Sequence, residues 1–492
     1  MHAHRRALPA TLAVLALISA CGGGGGGTAS PGGSGAPAGQ PDSGPATKGG
    51  ELTLALAEDP DVLDPSLGRT LVGREVFINM CEKLYDIDES LTIVPQLAAA
   101  LPEISADGKS VTVKLRTGIT FNDGTPFDAT AVKTSLDRHV AIEGSARKSE
   151  LAAVTGVEVV DPTTVKLTLK APFAPLTGQL ADRAGMVMSP AQLTKLGDDF
   201  GSSPVCVGPF SFVSRQAGNS ITLKKSTEYY DADKVNLDGI TYKVITDANV
   251  RLANVRSGDV QVSERISATD VDKVESDASV KLVTGEPLGY QGISINIGNT
   301  AGVGEPVGEV TTPLGTNKEL RKAFELALDR KVINQVVFAG KYVPGCFPLP
   351  PGNAFLDASL TCLERDVDEA KKIIEASGVA SPVPVELTIG TSPENLRIGQ
   401  IIQSLAKEAG FDVKVKSTEF ASALDASDAG KYDAFRSGGP AASTRTATST
   451  TSCPPVAPAT SPGCPTRRST PRWPPRAAPP TWPSARRPSP RR

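Results

Sequence analysis

Histidine is almost absent from this 492-residue chain, which contains only three. His2 and His4 lie in a predicted leader, so His139 is the one imidazole left in the remainder of the chain. This excludes a multi-histidine metal site, and a Ser-His-Asp or Cys-His mechanism would depend on His139 alone. Because His139 ends a helix-like stretch, we predict a surface or helix-capping role for it. The sequence therefore predicts no enzyme activity, no metal and no cofactor.

Tryptophan is also scarce, since both copies, Trp473 and Trp482, lie close to the C-terminus. A sugar site built on stacking against indole rings is therefore disfavoured. A peptide-like or other polar solute fits better, held by backbone groups, a few charges and smaller aromatic side chains.

Acidic residues are missing after Asp433, whereas nine arginines follow Arg436. The formal charge of the whole chain is −3, so residues 1–436 carry −12. Phosphate binding needs the opposite sign, and this acidic body argues against nucleic acid as a partner.

Apolar runs long enough to form a permanent transmembrane helix are absent. The N-terminal run, Leu8 to Ile18, is short, follows basic residues and leads through Ser19 and Ala20 to Cys21. This pattern predicts a lipoprotein signal peptide over residues 1–20, with Cys21 as the lipid-carrying mature N-terminus. The alternative is an ordinary signal peptide cut nearby, which would leave Cys21 free.

Residues 21–50 consist almost wholly of Gly, Pro, Ser, Ala and Thr. This composition cannot bury a core and predicts a flexible linker. A globular body on such a linker would work at the outer face of the cell membrane.

Four further cysteines lie in the body of the chain. Cys346 and Cys362 flank a Pro/Gly-rich loop and form a candidate disulfide in an oxidising compartment. We predict that Cys81 and Cys206 are buried, unpaired thiols, the common fate of a free cysteine.

Strand-like and helix-like patterns interleave between residues 51 and 436. Ser110–Arg116 and Val157–Leu169 alternate as strands, whereas Phe77–Leu84 and Lys318–Phe338 have helical spacing. Hairpins and crossovers both occur, so the predicted fold class is α/β with mixed β-sheets.

Short motifs follow one another along residues 50–436: Ile93-Val94-Pro95-Gln96-Leu97-Ala98, Phe121-Asn122-Asp123-Gly124-Thr125-Pro126-Phe127, Gly208-Pro209-Phe210, Asp247-Ala248 with Arg251-Leu252, Ser257-Gly258-Asp259-Val260, and Leu320-Arg321-Lys322-Ala323 with Ala327-Leu328-Asp329-Arg330. In this order they resemble the extracytoplasmic solute-binding proteins of ABC importers, in family 5, which serves oligopeptides, dipeptides and nickel. Turn chemistry explains the residues of the Asp123 motif, so the motifs indicate a fold and name no ligand.

The resemblance implies a two-lobed clamshell like that of periplasmic binding proteins, with the solute trapped between lobes joined by hinge strands. Closure is then a population shift that ligand drives by contacting both lobes. Residues 51–78 and 201–265 are expected to form lobe I, residues 79–200 an extension subdomain of it, and residues 266–436 an incomplete lobe II.

Candidate ligand contacts follow from the same analogy. They are Glu58, Asp59, Asp61, Tyr290, Gln291, Asn395, Phe435, Arg436 and Ser437. A solvated acidic loop, a core tyrosine and a strand end explain these residues equally well.

Residues 437–492 change abruptly to Pro, Arg, Ser, Thr and Ala, which predicts a disordered low-complexity tail. One explanation is a native tail and another is a shifted reading frame. Back-translated with GC-rich codons, residues 443–450 can read Asp-Pro-Asp-Gly-Asn-Ile-Tyr in another frame, and the resembling family has an aspartate–proline loop there. We expect a frameshift product, and with it the loss of the C-terminal part of the fold.

The resemblance thus implies a monomeric, lipid-anchored solute-binding subunit that captures peptides or similar polar solutes for ABC permease subunits and their ATPase. The alternative is the same fold acting as a ligand sensor or receptor for a membrane partner without transport. An exported hydrolase is disfavoured by the histidine count. A peptide, a chelated metal and another polar solute all stay open as ligands.

Overall fold

The computed structural model describes residues 46–90, 92–285, 289–303, 305–347, 349, 356, 357 and 359–440. The predicted signal peptide, the lipid-bearing Cys21, residues 21–45 of the linker and residues 441–492 of the tail lie outside these ranges. Within them, no helix has both the length and the apolar character needed to cross a bilayer.

The described strands are, in chain order, β1 (Glu51–Leu56), β2 (Tyr85–Ile87), β3 (Ile93–Pro95), β4 (Glu103–Ile104), β5 (Ser110–Lys114), β6 (Val154–Asp161), β7 (Thr164–Leu169), β8 (Phe210–Gln216), β9 (Ser220–Lys225), β10 (Gly239–Val244), β11 (Val262–Ser263), β12 (Gly289–Ile295), β13 (Val383–Ile389), β14 (Phe411–Ser417) and β15 (Ala434–Pro440). The described α-helices are α1 (Leu71–Met80), α2 (Ala129–Ala141), α3 (Leu176–Gln179), α4 (Pro190–Leu196), α5 (Ala248–Ser257), α6 (Val271–Glu275), α7 (Pro313–Thr316), α8 (Lys318–Ala327), α9 (Arg330–Phe338), α10 (Val367–Ala376), α11 (Pro393–Glu408) and α12 (Phe420–Asp428).

A five-stranded mixed sheet in the order β11-β1-β10-β9-β8 forms the first lobe. β1 pairs in parallel with both β10 and β11, whereas β9 pairs antiparallel with β10 and β8. The apolar core of this lobe contains the fully buried Leu56 and Phe77. The predicted helix Phe77–Leu84 was wrong in position, because α1 starts at the Thr70 cap and ends at Cys81, whose backbone is extended.

The extension subdomain carries a second, antiparallel sheet in the order β4-β5-β7-β6. The strands predicted from the alternation at Ser110–Arg116 and Val157–Leu169 are confirmed. Asp128 begins α2 by accepting a hydrogen bond from the backbone N–H of Ala131 (2.9 Å). Strands and helix share one apolar core, which makes the subdomain a packed body of its own.

His139 lies on α2 and is fully buried, so the predicted surface role was wrong. Its Nε2–H donates to the carbonyl oxygen of Met186 (3.2 Å), which leaves Nδ1 to accept from the Ser66 hydroxyl (2.9 Å). Burial lowers the pKa of His139 to about 4. The ring is therefore neutral and serves as a satisfied core residue.

Cys81 and Cys206 form a disulfide with an S–S distance of 2.00 Å, so the prediction of two unpaired thiols was wrong. Cys81 ends α1 and Cys206 precedes β8, and their sequence separation of 125 encloses the extension subdomain. Both cysteines are buried in the apolar core that also contains Leu56 and Phe77. A second disulfide joins Cys346 to Cys362.

The second lobe is built on a four-stranded sheet in the order β12-β15-β13-β14. β13 pairs in parallel with β14 and β15, and β12 pairs antiparallel with β15. The single helix predicted over Lys318–Phe338 is in fact two, because Asp329 accepts hydrogen bonds from the N–H groups of Lys331 and Val332 and starts a new helix. β15 continues through Pro440, so regular structure runs four residues past position 436.

Candidate ligand-binding site

The carboxyl ends of the parallel strands in the first lobe meet at one edge of their sheet. Glu58 follows β1, and Glu264 and Arg265 follow β11. One Glu264 carboxylate oxygen accepts from the N–H of Ala57 (2.9 Å), and the other lies 2.8 Å from Nε of Arg265. Such an edge, where parallel strands diverge, is the usual place for a ligand in an open α/β sheet.

Arg251, on α5, supports this edge by binding backbone carbonyls of the segments next to it. It is buried, and its guanidinium donates to the backbone carbonyls of Ile245, Thr246, Glu264 and Arg265 at 2.7–3.1 Å. These carbonyls belong to the two segments that leave β10 and β11. Arg251 therefore fixes the backbone after both strands, and the segment after β11 is the one through which the chain leaves the first lobe.

Glu58 and Glu75 form an acidic pair at the same edge. Burial raises the pKa of Glu58 to about 7, with Glu264, Glu419 and Asp61 adding to the shift and Arg265 opposing it. Burial and the charges of Glu264 and Glu58 likewise raise the pKa of Glu75 to about 8. No described residue donates a hydrogen bond to either carboxylate, so both are open to a donor from outside the protein.

The second lobe presents an equivalent edge, where its parallel strands also end. Asn395 lies in the first turn of α11, after β13, and Arg436 lies on β15. The Arg436 guanidinium donates to the side-chain oxygen of Asn395. Burial lowers the pKa of Arg436, Glu394 opposes that shift and Arg265 adds to it. Two residues predicted separately from the sequence thus lie in contact.

The two edges lie close enough for their charges to act on each other. Glu419 of the second lobe raises the pKa of Glu58 of the first, and Arg265 of the first lobe lowers that of Arg436 of the second. We call this region, bounded by Glu58, Glu75 and Arg265 on one side and Asn395 and Arg436 on the other, the cleft.

Tyr342 lies close to the cleft and was not predicted. Asn334 holds its backbone by donating to its carbonyl (2.7 Å) and accepting from its N–H (3.2 Å), and the ring packs edge-on against Phe338 with centroids 4.5 Å apart. Its pKa is raised by burial and by Glu394, and is lowered by Arg265 and Arg436. Glu75, Glu264 and Arg265 were missed as well, because nothing in a single sequence brings α1, β11 and the loop after α9 together.

Asp59 and Asp61, both predicted as ligand contacts, bind protein groups in the structure. Asp59 forms an ion pair with Arg215 (3.1 Å) and accepts from the N–H of Gly218 (2.7 Å). Asp61 accepts from the N–H of Arg69 (2.8 Å) and from the hydroxyl of Thr70 (3.0 Å). Both carboxylates therefore anchor loops of the first lobe.

The remaining predicted residues lie on β12 and β15. Tyr290 and Gln291 pair with Gly439 and Gly438, so they lie three and two positions past Arg436 along the ladder, respectively. Phe435 is buried against Phe420 and Tyr432, and the Ser437 hydroxyl lies 3.4 Å from that of Ser294. Phe435 is thus a core residue, whereas Tyr290, Gln291 and Ser437 extend the second edge of the cleft.

Metal ligands are not grouped in the described part of the chain, where no three His, Cys, Asp or Glu side chains are placed to hold an ion. The chemistry available in the cleft is therefore charge pairing and hydrogen bonding. A guanidinium with an uncharged partner faces two carboxylates without donors, an arrangement suited to a ligand with charges of both signs.

Comparison with known families gives one clear match. The model described as "Bacterial extracellular solute-binding proteins, family 5 Middle" matches residues 92–453. The glutathione-binding protein GsiB of Salmonella paratyphi A is 28% identical over 76% of this chain and 70% of its own length. GsiB of Escherichia coli O1:K1 is 30% identical over 67% of this chain, and the match spans 61% of that relative.

Solved structures with the same fold agree with this match. AgaA of A. tumefaciens R10, in complex with agropinic acid, has 27% identity and a TM-score of 0.69 over 79% of this chain and 77% of its own. OppA of Listeria monocytogenes, bound to peptide, has 25% identity and a TM-score of 0.68 over 79% and 81%. DppA of Helicobacter pylori, with a TM-score of 0.73 and 21% identity over 80% and 79%, supports the fold alone.

Proposed function

Because the chain belongs to family 5 of the bacterial extracellular solute-binding proteins, which serve ABC importers, we propose that it captures a short peptide or a similar zwitterionic solute and delivers it to a membrane permease. The observation that carries this proposal is the pair Arg436–Asn395 facing Glu58 and Glu75 across the cleft. Among the described residues, neither Arg436 nor the two glutamates forms an ion pair, and a ligand could supply one to each side.

The anionic end of the ligand is assigned to Arg436. Among the described residues its guanidinium has one hydrogen-bond partner, and that partner is an uncharged amide. A partly buried cation without a carboxylate has a strong preference for one, and a guanidinium binds a carboxylate through two parallel hydrogen bonds. Asn395 would then hold the guanidinium in the orientation that receives the ligand.

The cationic end of the ligand is assigned to Glu58 and Glu75. Burial, followed by repulsion from neighbouring acids, raises both pKa values, so ionising both carboxylates at this edge is costly even with Arg265 nearby. An ammonium group placed between them would offset that repulsion and favour the ionised form of both. Binding of such a group would therefore release protons at neutral pH.

Closure follows from the same geometry. A ligand can contact Arg436 on one lobe and Glu58 on the other at the same time only when the lobes are closed. Its differential affinity for the closed form then shifts the population toward that form. Arg251 keeps the first-lobe end of the segment after β11 in place while the lobes move.

The relatives support this assignment of ligand class. The names of GsiB and of peptide-bound OppA indicate glutathione and peptides respectively, both of which carry carboxylate and ammonium groups. We extend this class of ligand to the present chain, together with a lipid anchor at Cys21, a position at the outer face of the cell membrane, and a monomeric state in contact with permease subunits and their ATPase.

Native mass spectrometry tests the proposal. The purified chain is incubated with an equimolar mixture of short peptides, and separately with mixtures of neutral sugars and of nucleotides. We expect adducts of one peptide per chain and none with sugars or nucleotides. Absence of peptide adducts, or preference for the neutral sugars, would refute the proposed function.

A further inference from the structure

Arg69 joins the two lobes through its guanidinium. It lies in the loop before α1 of the first lobe, and its Nη1 lies 2.6 Å from Asp428 and its Nη2 2.5 Å from Asp425. Both aspartates are on α12 of the second lobe. One side chain therefore makes two ion pairs across the opening between the lobes.

The loop that carries Arg69 is held firmly in the first lobe. Asp61 accepts from the N–H of Arg69 (2.8 Å) and lies 3.4 Å from its Nε. The preceding carbonyl, that of Gly68, accepts from Arg147 (3.1 Å) and Arg183 (2.9 Å), both of which are buried. Arg69 thus reaches the second lobe from a preorganised position, which lowers the entropy lost when the ion pairs form.

The aspartates of α12 need a cation when the lobes separate. Asp425 and Asp428 lie in the last turns of the helix, where the negative end of the helix dipole disfavours an acid. They are three residues apart and so repel each other, and the last turn of α12 contains no basic residue. Contact with Arg69 relieves both penalties.

We propose that Arg69, with Asp425 and Asp428, is a latch that draws the lobes together in the absence of ligand and slows the release of a bound one. Arg69 is a positioning residue, since it acts on the equilibrium between open and closed lobes. The part that concerns ligand release rests on the proposed function, but the closure of the empty protein does not.

The latch is weak enough to be reversible. Asp425 and Asp428 are 70% and 47% exposed, and ion pairs at such sites contribute modestly and are screened by salt. Loss of both pairs should shift the open-to-closed ratio about 3- to 10-fold, and ligand should dissociate faster by a similar factor.

Small-angle X-ray scattering of the ligand-free chain tests the latch directly. Arg69→Gln and the double variant Asp425→Asn/Asp428→Asn should each increase the radius of gyration at low salt, and combining them should add nothing. The wild type should expand toward the same value at about 0.5 M salt. Arg69→Lys, which keeps the charge, should recover part of the compactness.

Arg365→Gln is the matched control. Arg365 is 24% exposed, as Arg69 is, and pairs with Glu408 at 2.7 Å, but both residues belong to the second lobe. Unfolding temperatures of all variants establish that they fold. If Arg69→Gln scatters like Arg365→Gln, or if its effect adds to that of the aspartate variants, the latch is refuted. Failure of every variant and of the wild type to bind peptide would refute the proposed function and leave the scattering result intact.

Discussion

The guanidinium of Arg436 on β15 donates to the side-chain oxygen of Asn395, which lies 41 residues earlier in the first turn of α11. Parallel pairing of β13 with β15 places the end of one strand beside the start of the helix that follows the other. A cation with an uncharged partner is thereby fixed at the edge that faces Glu58 and Glu75. The predictions below follow from this edge, from the segments that support it and from the two disulfides.

The two disulfides should contribute unequally to stability. Removing a cross-link restores entropy to the unfolded chain, and the effect grows with the enclosed loop. With separations of 125 and 16 residues, the loss from Cys81→Ala/Cys206→Ala should be about 5 kcal/mol and that from Cys346→Ala/Cys362→Ala about 3 kcal/mol. Chemical denaturation under oxidising conditions measures both. Equal losses would contradict the prediction.

Arg251→Lys should destabilise the chain by about 2–4 kcal/mol, because a lysine cannot serve the backbone carbonyls of both segments at once. Arg256→Lys on the same helix is the control, since exposed Arg256 pairs only with Asp277 and should change stability by less than about 0.5 kcal/mol. Urea unfolding of the two variants gives the comparison. Similar stabilities of the two variants would show that Arg251 does not hold the two backbone segments together.

Stability should fall as pH rises from about 5 to 8, through Glu58 and Glu75. Their pKa values in the folded chain, about 7 and about 8, lie above those of an unfolded glutamate, so the folded form holds protons that the unfolded form has lost. Glu58→Gln should therefore be more stable than the wild type at pH 8, by about 1–2 kcal/mol after allowance for partial exposure, and equal to it near pH 4.

The difference in unfolding free energy between Glu58→Gln and the wild type isolates the contribution of Glu58. The lowered pKa of His139 acts in the opposite direction, costing stability as pH falls below about 6.5, and it cancels in the difference. Exposed Glu143→Gln is the control. A Glu58→Gln difference that does not depend on pH would contradict the assignment.

Restoring the expected reading frame after residue 440 should raise the unfolding temperature and the uptake of ligand. Later segments of the resembling family complete the second lobe and return to the first, so the restored residues should bury apolar surface of the second lobe. Thermal unfolding of the printed and frame-restored chains makes the comparison. Equal unfolding temperatures and equal ligand uptake would refute the frameshift.

Local patterns predicted most of the secondary structure and the class of fold. The family resemblance suggested Asn395 and Arg436 as separate candidates and did not predict their contact. Asp128 and Asp247 cap α2 and α5, and such caps can be found locally because they depend on a few neighbouring residues. The Cys81–Cys206 disulfide and the burial of His139 depend on contacts between segments far apart in the chain. The contacts of Asp61 could not be predicted from the sequence for the same reason. Asp61 binds Arg69, and Arg69 in turn pairs with Asp428 on α12 of the other lobe, far away in the chain.

Isothermal titration with three forms of one peptide tests the central claim most directly. The forms are the free peptide, its C-terminal amide and its N-acetyl derivative, titrated into the wild type, Arg436→Gln and Arg397→Gln, the last an exposed arginine on the same helix as Asn395. We predict that either modification weakens binding to the wild type and to Arg397→Gln by about tenfold or more, and that Arg436→Gln no longer distinguishes the amide from the free acid. Equal affinities of all three forms for the wild type, or no binding to either the printed or the frame-restored chain, would contradict the account.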